Sequence, residues 1–239
     1  MDQILLYLSE WIGSIAVAMI AGISPKFRRT KLVFKYPRRE GIVALAVFGV
    51  VMLISLILAT LPTFTLTDLA KPLSDRLFVA AAGLIPVVVA LYRRKQPVRS
   101  AGWPRDKLTG AFQLGLALAF LVIFLRGKFL AVLTSMTGPE ASMLGFLLMV
   151  AVCEETIFRG YIQQRLAAWW GPNIGWLAAA VLFLLWQLPR LLAVPDQLPL
   201  SIAVAGIQSL VAGFIMQRSG HALSPALYRA VSDWLIFVS

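Results

Sequence analysis

The chain has one cysteine and one histidine in 239 residues. The single thiol, Cys153, excludes an internal disulfide. Zinc takes histidine and cysteine ligands, and catalytic zinc sites use three protein ligands. With His221 as the sole imidazole, no zinc site and no cofactor site is expected. Without a histidine nearby, Cys153 reads as an ordinary buried thiol. Charge is scarce as well. Only 14% of residues are charged, against about a quarter in ordinary soluble chains, and no stretch reads as a separate soluble domain. Internal repeats and low-complexity tracts are missing, and so is the short alternation of a membrane barrel. The opening "MDQILLYLSEW" lacks the basic start of a cleavable signal peptide. The first apolar run is therefore expected to be a retained helix.

Apolar residues make up 59% of the chain, and the mean hydropathy is +0.82. Runs near the spanning length of about 20 residues recur from end to end. A segment alone in lipid must satisfy its own backbone, so these runs should be helices. The expected class is all-α, a polytopic membrane bundle of about eight transmembrane helices. The candidate spans are roughly 4–23, 41–61, 77–92, 108–125, 141–168, 173–190, 198–217 and 222–238. The third is short and holds Pro86. Pro-Lys, Gly-Pro and Pro-Asp pairs mark breaks between spans.

The net charge is +11. Its cations gather in two connections, "SPKFRRTKLVFKYPRRE" (Lys26, Arg28, Arg29, Lys31, Lys35, Arg38, Arg39) and "RRKQPVRSAGWPRDK" (Arg93, Arg94, Lys95, Arg99, Arg105, Lys107). The alternate connections hold only Lys71 and Arg76, Arg126 and Lys128, and Arg190. This asymmetry places both basic connections in the cytoplasm. Both termini would then lie opposite, and the turns at Gly171-Pro172 and near Ser219-Gly220 would face the cytoplasm. No nucleic-acid partner is expected, because no basic helix or aromatic platform stands outside the membrane. Membrane lipids are the expected surroundings.

Of the chain's 11 acidic residues, only Glu10, Glu154, Glu155 and Asp233 fall inside apolar spans. Acids inside a membrane are costly and usually functional. Glu10 sits near a span end, within reach of water. Glu154 lies about 15 Å below the polar and aromatic set Gln163, Gln164, Arg165, Trp169 and Trp170, which suits an interface. A hairpin folded at Gly171 brings Glu154 and Gln187 to nearly one height. Arg229 lies about 12 Å into the last span, which starts near His221. Glutamate, glutamine and arginine on three helices thus converge on one layer. Glu155 and Arg159 are spaced to pair along one helix face, as are Arg229 and Asp233. Such pairs can simply lock helices together. Two adjacent glutamates, however, repel in low dielectric.

"EETIFRG" on an apolar helix, followed by "FLLWQ" and "RAVSD", resembles the CPBP (Abi) family of CAAX prenyl endopeptidase-like and bacteriocin-processing membrane proteins. That family carries EExxxR, FxxxH and HxxxN or HxxxD on successive helices. Glu154, Glu155 and Arg159 match the first motif. Gln187 stands at the histidine of the second. Arg229 replaces the histidine of the third, where Asp233 is retained. The resemblance covers residues 141–239 and leaves 1–140 as N-terminal transmembrane helices.

It implies an intramembrane endopeptidase in which Glu154 activates water, with Glu155 and Arg159 in support, in a cavity facing the cytoplasm. The implied substrate is a peptide or membrane protein. The two replacements open a second reading. Glutamine can hold a water or an oxyanion but cannot shuttle a proton. Arginine cannot act as a base, although it can stabilise an oxyanion. An arginine beside Glu154 also weakens it as a base. The alternative is an inactive relative that binds a membrane partner, of the immunity type. A small proton-coupled carrier is a third reading, without the internal repeats of such folds. His221, two turns before the motif position, is expected at the interface.

Overall fold

A computed structural model of the chain describes residues 3–24, 34–60, 73–192 and 198–238. Lys26, Arg28, Arg29, Lys31 and Lys71, and the Pro195-Asp196 break, lie outside the described residues. Within them the chain forms helices joined by turns, with no strand. In chain order the helices are α1 (Gln3–Ala21), α2 (Pro37–Thr60), α3 (Leu73–Arg93), α4 (Leu108–Leu125), α5 (Phe129–Thr134) and α6 (Gly138–Glu155). A π-helical segment, Thr156–Gln163, continues α6 into α7 (Gln164–Trp170). Then follow α8 (Pro172–Leu191), α9 (Leu198–Ser219) and α10 (Leu223–Trp234).

Six stretches are long and apolar enough to cross a membrane: Pro37–Leu58, Asp75–Arg93, Arg105–Leu125, Gly138–Trp170, Pro172–Leu191 and Leu198–Ser219. The first and last of the eight expected crossings differ. In α1 the apolar stretch Tyr7–Ala21 is shorter. The 12 residues of α10 rise only about 18 Å, well short of a hydrocarbon core of about 30 Å. The third span, Asp75–Arg93, is longer than expected at both ends, and α3 runs on through Pro86. A proline inside a membrane helix is tolerated when neighbours re-satisfy the freed carbonyl.

Local sequence sets the ends. Before α6, the Thr137 hydroxyl accepts the Glu140 N–H at 3.4 Å, and the Glu140 carboxylate accepts the Thr137 N–H at 2.7 Å. This reciprocal cap satisfies two donors that a helix start leaves free. Between α7 and α8 the chain reverses at Gly171, with φ at 91°. The hairpin closes tightly because Gly175 has no side chain: a Cβ there would stand 2.2 Å from the Ala167 nitrogen.

Three connections share one end of the bundle. Gly41 at the start of α2 lies against Trp169. The α9–α10 turn is pinned to the 93–107 connection, where the Ala222 N–H donates to the Gly102 carbonyl at 2.8 Å. The same connection crosses the π segment at Gly160, where a Cβ would meet the Ala101 carbonyl oxygen at 2.0 Å. It also overturns one expectation. Gln163 and Arg165 do not emerge at an interface but are 3% and 0% exposed. Arg165 donates to the Ser100 carbonyl at 2.9 Å and to Gln96 Oε1 at 2.6 Å, and pairs with Glu40 at 3.3 Å. Arg94 also holds Glu40. His221 sits at this end too, buried rather than interfacial, with its ring edge-on to Trp103 at 4.9 Å. Its Nδ1 accepts the Leu223 N–H at 3.0 Å. Burial lowers the His221 pKa to about 4, the pull of Asp106 upward being the smaller effect.

The interior divides into two apolar clusters. One joins α1, α4, α9 and α10 through Trp11, Leu118, Val122, Ile215, Tyr228 and Trp234. The other joins α2, α3, the π segment and α8 through Val51, Val87, Ile157, Phe158, Phe183 and Trp186. Between them, Ala151 on α6 packs with Ala226 and Ala230 on α10. Small residues let two helix backbones approach closely in lipid. That contact brings the polar groups of α6 and α10 within ion-pair range.

Candidate active site

The polar cluster is built along this α6–α10 seam. Glu154, Glu155 and Arg159 are each fully buried, and Arg229 is 2% exposed. Glu154 takes Arg229 Nη2 at 2.6 Å and Arg76 Nε at 3.5 Å. Glu155 takes Arg229 Nη1 at 2.9 Å and Arg159 Nε at 3.3 Å along its own helix. One guanidinium thus bridges both glutamates, which removes the repulsion expected of the adjacent pair. Asp233 pairs with Arg76 at 3.1 Å, stands 3.9 Å from Arg229, and accepts from Gln208 at 3.0 Å. Three carboxylates (Glu154, Glu155, Asp233) therefore face three guanidiniums (Arg76, Arg159, Arg229). A balanced, hydrogen-bonded set is the form in which buried charge is tolerated.

The surroundings hold the cluster in register. Arg159 donates to Ser209 Oγ at 2.9 Å, and Gln163 donates to the Gly213 carbonyl at 2.9 Å. The π segment thus ties its polar face to α9. Irregular turns of this kind occur often at functional sites. The ring of Phe183, the apolar member of "FLLWQ", lies 4.6 Å from the Arg229 guanidinium and 5.0 Å from that of Arg159. It offers both cations an aromatic face.

Gln187 reaches the same layer from α8, as the hairpin arithmetic expected. With Glu154, Ser55, Arg76 and Arg190 it lines a small pocket of about 40 Å³. That is room for water, since one probe sphere takes about 10–15 Å³. Gln187, Arg76 and Arg190 also border a cavity of about 620 Å³, into which Arg229 and Asp233 project. The large cavity is bounded by Tyr7, Arg126, Lys128 and the 235–238 segment. All of these lie away from the 93–107 connection. A cavity facing the cytoplasm and a cytoplasmic 93–107 connection cannot both hold, because the two occupy opposite ends of the bundle.

All six expected site residues are brought together. The sequence reading missed their partners. Arg76, a loop cation by its place in the sequence, sits in the first turn of α3 and clasps two carboxylates. An arginine one turn into an apolar helix was the available signal. Glu10 does not reach water: it is fully buried, holding Arg126 at 2.6 Å and Ser232 at 2.7 Å. Ser232 in turn accepts from Gln208 at 3.2 Å, which links this pair to Asp233. His221, at the far end of α10, belongs to none of this. Among the described residues no group of three or more His, Cys, Asp or Glu could hold a metal ion.

No curated protein sequence and no solved structure matches the chain. A family model for type II CAAX prenyl endopeptidase Rce1-like proteins matches residues 137–235. The match spans α6 through α10 and includes Glu154, Glu155, Arg159, Gln187, Arg229 and Asp233. Residues 137–235 are thus similar to the CPBP family of CAAX protease-like membrane proteins, which supports the resemblance carried by the three motifs.

Proposed function

We propose that the protein is a CPBP-type intramembrane endopeptidase working with a substituted site. The observation that carries this reading is the water-sized pocket shared by Glu154 and Gln187 beside a cavity large enough for a peptide segment. Glu154 takes a proton from a water held by the Gln187 amide, and the water oxygen attacks the peptide carbonyl carbon. The negative charge moves to the carbonyl oxygen, where Arg229, Arg190 and Arg76, which line the cavity, are the cations that receive it. A guanidinium serves there as an electrostatic clamp. The proton on Glu154 then passes to the leaving nitrogen as the C–N bond breaks, which restores the carboxylate. Glu155 and Arg159 position Arg229 and do not touch the reacting atoms.

A second reading has its own observation. The 2.6 Å pair between Arg229 and Glu154, reinforced by Arg76 at 3.5 Å, keeps the carboxylate engaged in ion pairs rather than free to hold a water. On that reading the protein keeps the cavity as a binding site for a membrane peptide and does not cleave it. Purified protein in lipid, given a membrane-peptide reporter, separates the two. Cleavage that disappears in Glu154→Gln supports the peptidase. Inert wild type with cleavage gained in Gln187→His plus Arg229→His supports the binding protein.

A further inference from the structure

The two ends of the bundle differ sharply in cation content. At one end the short 93–107 connection carries Arg93, Arg94, Lys95, Arg99, Arg105 and Lys107, and α2 opens with Arg38 and Arg39. Only Glu40 and Asp106 offset them among the described acids. At the other end the described cations are Arg76, Arg126, Lys128 and Arg190. Two of these are engaged inside the protein, Arg76 with Glu154 and Asp233, and Arg126 with Glu10. Lysine and arginine in short connections set orientation, and the richer side stays in the cytoplasm. The residues that line the cavity lie toward the poorer side. Its walls are the early turns of α1 and α9, the segment after α4, the late turns of α8, and residues 235–238.

We propose that the cavity opens to the non-cytoplasmic face, so its substrate is a membrane peptide whose cleavable segment has already been translocated. The substrate half of this statement rests on the peptidase reading; the orientation does not. The orientation also puts the N-terminus outside. Lys35, Arg38 and Arg39, at the start of α2, then lie on the cytoplasmic side, as their charge requires.

The test uses the full chain with Cys153→Ser, made in a bacterial membrane, and one introduced cysteine at a time. Ser135→Cys reports the cavity end, and Val98→Cys, at a position 64% exposed, reports the basic end. A membrane-impermeant maleimide is applied to intact spheroplasts and then to permeabilised ones. The expected result is labelling of the 135 variant in intact spheroplasts and of the 98 variant only after permeabilisation. The reverse pattern, or equal labelling of both in intact spheroplasts, overturns the proposal. Met136→Cys and Tyr36→Cys, at positions 46% and 56% exposed, repeat the comparison should either first variant fail to accumulate. In parallel, one reporter peptide is anchored with its site outside and another with its site inside. Cleavage of the outside reporter alone is expected, and cleavage of the inside reporter overturns the substrate assignment. If neither reporter is cut, the peptidase reading fails, and the labelling still decides the orientation.

Discussion

Replacing Arg229 by leucine tests whether the cluster is held by charge balance. Arg229 contacts Glu154 at 2.6 Å, Glu155 at 2.9 Å and Asp233 at 3.9 Å. After Arg229→Leu, Glu155 keeps only Arg159 at 3.3 Å and Glu154 keeps only Arg76 at 3.5 Å. The three carboxylates then keep two ion-paired guanidiniums, Arg76 and Arg159, in a buried site. Removing one partner of a buried ion pair costs about 3–5 kcal/mol, because the charge left behind stays desolvated. For a chain of this size each kcal/mol moves the melting temperature by about 2–4 °C, so a drop of about 6–20 °C is expected. Tryptophan fluorescence during thermal unfolding in mixed micelles reads it. The decisive comparison adds Glu154→Gln to Arg229→Leu. Neutralising the orphaned acid should recover at least half of the loss, a coupling that a double-mutant cycle isolates. A drop under 2 °C, or a double variant no more stable than Arg229→Leu alone, would refute the charge-balance reasoning.

Two further outcomes follow from the opposite end. His221 has a folded pKa of about 4, below its ordinary value, so the unfolded chain binds its proton first on acidification. Stability should fall as pH drops from about 6.5 toward 4, and His221→Gln should flatten that part of the curve measured by unfolding at each pH. Gly160→Ala should abolish accumulation or lower the melting temperature severely, since its Cβ would meet the Ala101 carbonyl oxygen at 2.0 Å. Gly138→Ala, with no atom within 4 Å of its Cβ, should be neutral or slightly stabilising, and equal effects at the two positions would count against the close crossing.

Much of the site was legible because it follows from helical periodicity. The four-residue spacing of Glu155 and Arg159, and of Arg229 and Asp233, gave two ion pairs. The hairpin at Gly171 gave the shared layer of Glu154 and Gln187. What lay hidden depends on which faces of distant helices meet. Nothing local to Glu10 announces that Arg126 lies beside it, 116 positions along the chain. The π segment escaped notice because a π turn is a change of backbone hydrogen bonding that no residue type announces. The burial of Arg165 depends on how the 93–107 connection folds over it, a tertiary matter. The length of α10 was misjudged for a simpler reason: apolar residues continue to Val238, while the helix ends at Trp234.

That early stop has a consequence for the solvent. A helix leaves its last carbonyls without partners, and hydrocarbon supplies none. Residues 235–238, just past the end of α10, line the large cavity, so the remaining acceptors there can be hydrated from it. A hydrated cavity would thus serve the end of α10 as well as any substrate, whether or not a peptide is ever cut. Filling the cavity with bulky apolar side chains should therefore unseat the helix that carries Arg229 and Asp233 before it blocks any substrate.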